Sequence, residues 1–341
     1  MSASDASNAP TTFNAVSVSA VSADHFWVLG YSMTKYADGA SGGGATILST
    51  TDGGAHFSKT GTIDVIVAQV PMSRPYGVPT VSDIRFGDAT HGWAYGDALF
   101  ETDDGGTTWT AITQVPGSVV DLATVGDSVW AISQTQTNGD APTYTVYRAR
   151  FSANAPTGAW SKVELPLTPN QPPNIAVQGD TAYLLASTGT SDRLIRLTAD
   201  GKSADEPGPC TPDLPSKLSI GGRAGVLWAT CTTGMMASIY VSSDAGATWR
   251  QVPTGGSNAI DVGAITASSA ILADNVGDPL VLLHADGSRS KVDVPDSAAS
   301  ASFIGFTSTD IGYVIASANA GCALWRTTDG GLHWSTVNMH G

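Results

Sequence analysis

Thirty acids stand against sixteen bases in this 341-residue chain, and four of the aspartates recur in one eight-residue pattern. Thr50-Thr-Asp-Gly-Gly-Ala-His-Phe57, Thr102-Asp-Asp-Gly-Gly-Thr-Thr-Trp109, Ser242-Ser-Asp-Ala-Gly-Ala-Thr-Trp249 and Thr327-Thr-Asp-Gly-Gly-Leu-His-Trp334 share it. Each reads hydroxyl, any residue, Asp, small, Gly, any residue, polar, aromatic. Taken singly, Asp52, Asp104, Asp244 or Asp329 has the chemistry of a metal ligand or a general acid. Repeated in register, the pattern describes a tight turn. The carboxylate accepts backbone N–H groups two or three residues on. Gly54, Gly106, Gly246 and Gly331 supply positive φ. Phe57, Trp109, Trp249 and Trp334 cover the turn and bury between neighbouring sheets.

Other chemistry-bearing patterns are sparse. Gly39-Ala-Ser-Gly-Gly43 matches the letters of a nucleophile elbow, but no helix follows it, so it reads as a loop. The six histidines do not cluster, and there is no EF-hand loop or P-loop. Cys210, Cys231 and Cys322 lack zinc spacing; a Cys210–Cys231 disulfide is expected, suiting an exported protein, with Cys322 left free. No metal and no cofactor is expected. The net charge of −14 argues against nucleic acid and anionic membrane as partners, and no apolar run spans a bilayer. Residues 1–11 read as a flexible leader behind a removed export signal.

The elements that must hold these residues follow from spacing. Between the four patterns, degenerate copies fit at Asn154, Asp200 and Asp286, which gives seven units of 42 to 52 residues. Four-stranded propeller blades have that period. Each unit carries short β-rich runs cut by Gly, Asn, Asp and Pro, such as Val81–Phe86, Trp93–Gly96 and Ala98–Thr102. No segment has helical periodicity. The expected fold is all-β: a seven-bladed β-propeller of four-stranded antiparallel blades, one domain over 12–341, monomeric.

Such a ring presents its functional surface on the face opposite the repeated turns. Two long connections belong there, at 31–44 and 65–79, where Tyr31, Tyr36, Arg74 and Tyr76 would form a rim. Aligned units place Ser17, Asp83, Asp121, Asn174, Lys217, Asp261 and Phe303 at one level at the start of the innermost strands. Arg85 lies one layer deeper. This mostly acidic ring suits a cation, a sugar or a basic peptide.

The four turns resemble the Asp-box repeats of bacterial neuraminidases, sortilin-type receptors and xyloglucanases. The string Phe86-Gly-Asp-Ala-Thr-His-Gly-Trp-Ala-Tyr-Gly96, running into Thr102–Trp109, resembles the photosystem II stability/assembly factor-like propellers of exported bacterial proteins. The resemblance implies the fold more than the activity. Sialidase chemistry is not met. Glu101, Glu164 and Glu206 are the only glutamates; the first neighbours a turn and the other two are expected in Pro-rich loops. The arginine motif that precedes the first repeat in sialidases is missing. The expectation is a non-enzymatic scaffold binding a protein or carbohydrate. The alternative is a carbohydrate-active hydrolase or lyase using Asp83, Asp121 and Asp261.

Overall fold

Runs of four to eight apolar and β-branched residues separated by turn formers pair with the run that follows them. The computed structural model has this pattern throughout. It describes residues 13–339 apart from 33, 36–40, 43, 69–78, 137–139, 153–156, 166–167, 180, 199–201, 212–215, 223, 234–235, 275–277, 298 and 319–320. The described residues contain strands and turns and no helix.

Phe13–Ala20, Phe26–Ser32, Gly44–Thr50 and Ser58–Val67 pair antiparallel in chain order. Thr80–Phe86, Gly92–Gly96, Leu99–Thr102 and Thr110–Ile112 do the same. A parallel contact, Ile66 with Thr80 and Val67 with Val81, fuses these two meanders into one eight-stranded sheet. Five four-stranded sheets follow, over 118–163, 174–207, 216–257, 259–291 and 300–336. The expected count of seven separate sheets is therefore not what pairing gives. The ten-residue strand Ser58–Val67 is long enough to reach the next inner strand and bond to it.

The sheets pack face to face around an axis, each with its first strand innermost, which makes the molecule a β-propeller of four-stranded antiparallel blades. The last sheet returns to the first. Phe13, Ala15, Val18, Phe26 and Val28 form one core with Tyr313, Ile315, Leu324 and Val337. Asn14 Oδ1 accepts from the Cys322 amide at 3.2 Å, and Arg326 donates to the Ala23 carbonyl at 3.0 Å.

Because each second strand is covered on both faces, its residues are buried in unbroken runs, as over Phe26–Tyr31 and Val129–Ile132. Trp27, Trp93, Trp130 and Trp228 occupy these strands and are fully buried. Trp27 stacks on Phe86 of the next meander, centroids 3.7 Å apart, and donates Nε1–H to the Gly105 carbonyl at 2.8 Å. Trp228 donates likewise to Thr266 of the following sheet at 2.8 Å. Truncating such a residue to alanine costs about 3–5 kcal/mol.

The four aspartate turns share one hydrogen-bond set, and it differs from the expected Asx-turn. Asp52 Oδ1 accepts from the His56 amide four residues on, at 2.9 Å. The hydroxyl two residues earlier is the turn's hub: Thr50 Oγ1 donates to Asp52 at 2.8 Å and accepts from the Gly54 amide at 3.0 Å. Thr102, Ser242 and Thr327 repeat both bonds. Gly54, Gly106, Gly246 and Gly331 hold φ between 87° and 96°. Trp109 and Trp334 fold back to donate to the carbonyls of Gly106 and Gly331. Of the degenerate copies, Asn154 and Asp200 lie outside the described residues. Asp286 makes a smaller turn, accepting from Ser288 N–H and Oγ–H.

Each turn docks on the first hairpin of its own sheet: Gly53 N–H on Asp24, Gly105 on Thr90, Ala245 on Gly225 and Gly330 on Asp310, all at 2.9 Å. Turns and first hairpins thus share one face, and the inner strands start at the other. The Cys210–Cys231 disulfide is formed, Cα atoms 5.3 Å apart. It ties the loop after Ser203–Pro207 to the second strand of the next sheet, Leu227–Thr233. Cys322 is free. Glu206 lies in a strand, not a loop, ion-paired with Arg196 at 3.2 Å. No helix among the described residues is long and apolar enough to cross a membrane.

Candidate functional site

The channel mouth is built by a recurring backbone irregularity. Five inner strands carry a β-bulge just before the ring position: Ala15/Ser17, Val81/Asp83, Val119/Asp121, Ala259/Asp261 and Ala301/Phe303. A bulge inserts one residue and re-aims the side chain that follows. Asp83, Arg85, Asp121, Asn174, Lys217, Asp261 and Phe303 line one cavity of about 800 Å³, Asn174 and Lys217 from strands whose pairing carries no bulge. Ser17 belongs to the ring by its bonding but is buried behind it.

Several ring residues tie neighbouring sheets together. Ser17 Oγ accepts from Ile84 N–H at 3.3 Å. Asp121 Oδ2 accepts from Ile175 N–H at 2.8 Å and from the Asn174 amide group at 2.6 Å. Asn174 Oδ1 accepts from Leu218 N–H at 2.6 Å. Each such bond crosses from one inner strand to the next. Lys217 Nζ lies 3.2 Å from Asp261 Oδ2 and makes an ion pair across the following junction.

The electrostatics follow from burial. Asp121 is pushed up to about 6 by desolvation, against the pull of the Ile175 amide, Arg85 and the Leu122 amide. Asp261 is raised by the same cause, with Lys217 opposing. Arg85 is pulled down by burial, but Tyr95, Asp121 and Asp83 more than compensate and hold it above its ordinary value. Its Nε donates to the Leu122 carbonyl at 3.4 Å. Tyr95, buried and well above the usual phenol range through desolvation and then Asp83, is a mouth residue that the sequence reading missed. Its signal was the cross-strand pairing of Tyr95 with Asp83.

Other sequence candidates fare differently. Arg74, Tyr76 and Tyr36 lie outside the described residues. Tyr31 is not a rim residue: it is buried in the core shared by the first two meanders, because its strand is covered on both faces. Ser41 and Gly42 of the elbow-like string pair in a two-stranded ribbon with Thr34 and Lys35. Among the described residues, no group of three His, Cys, Asp or Glu is placed to hold a metal.

No family model and no curated protein matches the chain. Solved structures do. YCF48 bound to D1 peptide superposes with a TM-score of 0.58 at 20% identity, covering 94% of each chain. A streptogramin B lyase gives 0.55 at 15% identity, covering 98% of this chain and 95% of that one. A puromycin-hydrolyzing peptidase of Mycobacterium tuberculosis gives 0.59 at 12%, covering 96% of this chain and 53% of that one. At such identities the likeness establishes the propeller fold alone, on which a peptide-bound protein, a lyase and a peptidase all occur.

Proposed function

We propose that this chain is a non-enzymatic binding or assembly scaffold that recognises a protein segment or glycan at the channel mouth, on the face opposite the aspartate turns. With the fused sheet counted as two blades, the reading is of seven blades in one domain over 12–341. The turns are taken as Asp-box repeats, and the protein as exported and monomeric. The disulfide fits an oxidising compartment.

The carrying observation is how the ring acids are used. Asp121 serves Ile175, Asn174 and Leu122, and Asp261 serves Lys217 and Val262. A general acid or nucleophile needs its oxygens free for substrate, and these two hold the ring together instead. The peptide in the YCF48 structure supports binding as the use of the fold. The raised Asp121 favours the alternative, a glycan hydrolase or lyase working through Asp83, Asp121 and Asp261. A glycan array together with chromogenic glycosides separates the two. The scaffold reading expects no turnover by wild type or Asp121→Asn; turnover by wild type that Asp121→Asn abolishes would establish the enzyme.

A further inference from the structure

Three of the ring bonds follow one rule, and one of the positions that departs from it identifies a ligand contact. A ring side chain accepts from the amide just past the next ring position: Ser17 from Ile84, Asp121 from Ile175, Asn174 from Leu218. By that rule Asp83 would take the Leu122 amide and Lys217 would meet the Val262 amide. Lysine cannot accept, and Asp261 Oδ1 serves Val262 itself at 2.9 Å. Asp83 can accept, yet Asp121 Oδ1 serves Leu122 itself at 2.9 Å. The Asp83 carboxylate is left half-buried on the cavity wall with no hydrogen bond to another described residue. Partly exposed and given no donor by the described residues, it keeps its acceptor oxygens open to a donor from outside.

The surroundings define that donor. The nearby cations are shared: Arg85 donates to the Leu122 carbonyl and divides its charge among Tyr95, Asp121 and Asp83, and Lys217 pairs with Asp261. Small side chains such as Ser19, Ala123 and Ser219 are among those that line the same cavity. Phe303, on the level of Asp83, offers an apolar face suited to a cation or to an alkyl stem.

We propose that the mouth receives a lysine or arginine side chain of a partner polypeptide, its cationic head on Asp83. The proposal rests on the reading of the mouth as the recognition site.

The test titrates fluorescein-labelled octalysine and octaglutamate by anisotropy at low and physiological salt, against wild type, Asp83→Asn, Asp103→Asn and Arg85→Gln. Asp103 is exposed on the turn face, so its substitution makes the same charge change elsewhere. The expected result is octalysine binding weakened about tenfold or more by Asp83→Asn and less than about twofold by Asp103→Asn. The thermal midpoint of Asp83→Asn should match wild type, since Asp83 ties no strand. Equal weakening by the two aspartate variants, or no octalysine binding, would overturn the proposal, as would full competition by n-butylammonium at the affinity of octalysine. Octaglutamate binding lost in Arg85→Gln would refute the cationic assignment while leaving recognition at the mouth intact. Binding of either probe that no mouth variant alters would remove both readings.

Discussion

At the residue scale, the aspartate turn is held by a hydroxyl as much as by its carboxylate. Thr102→Val leaves the buried Gly106 amide without an acceptor, and an unsatisfied buried donor costs roughly 1–3 kcal/mol. Urea denaturation should show that loss, with little change in Asp103→Asn. Ala245 holds φ 60° where the other three turns have glycine; Ala245→Gly should gain about 1 kcal/mol by relieving left-handed strain. Asp192 is a second buried acid, accepting from the Cys210 amide at 2.9 Å and pushed up to about 6 by desolvation. Its folded value lies above its unfolded one. Its contribution is therefore full below about pH 4 and lost as pH rises through 6. Asp192→Asn does not titrate. Its stability relative to wild type should improve by roughly 2–3 kcal/mol between pH 4 and pH 7; a flat difference in paired denaturation curves would refute this. The turn's letters were readable in the sequence, but its hydroxyl hub was not. Thr50 and Asp52 look like two independent turn formers until the chain is folded over both.

At the scale of elements, sequence spacing located the inner strands well enough to align Asp83, Asp121, Asn174, Lys217, Asp261 and Phe303 on one level. Bulges keep that level at five of the ring positions, and a bulge leaves no local signature beyond the alternation it breaks. The bonds between inner strands were invisible for the same reason: Asp121 and Ile175 are 54 residues apart. Asp121→Ala removes acceptors from the Ile175 and Leu122 amides and should lower stability by about 1–3 kcal/mol, whereas Asp83→Ala should change it little. The disulfide closes a 21-residue separation. Replacing both Cys210 and Cys231 with alanine should cost on the order of 3 kcal/mol by guanidinium denaturation.

At the scale of the whole molecule, periodicity carried the ring. Repeats of 42 to 52 residues, each unable to bury its own faces, must stack on their neighbours. The fusion of the first two meanders was not legible, since it depends on the length and direction of Ser58–Val67 rather than on any repeated letter. The proposed recognition face is the one where the inner strands begin. Selection of a random displayed-peptide library on immobilised wild type, Asp83→Arg and Asp103→Arg tests that placement most directly. The expected result is a basic consensus on wild type that persists on Asp103→Arg and vanishes on Asp83→Arg. A consensus that persists on Asp83→Arg and vanishes on Asp103→Arg would put recognition on the turn face and contradict it.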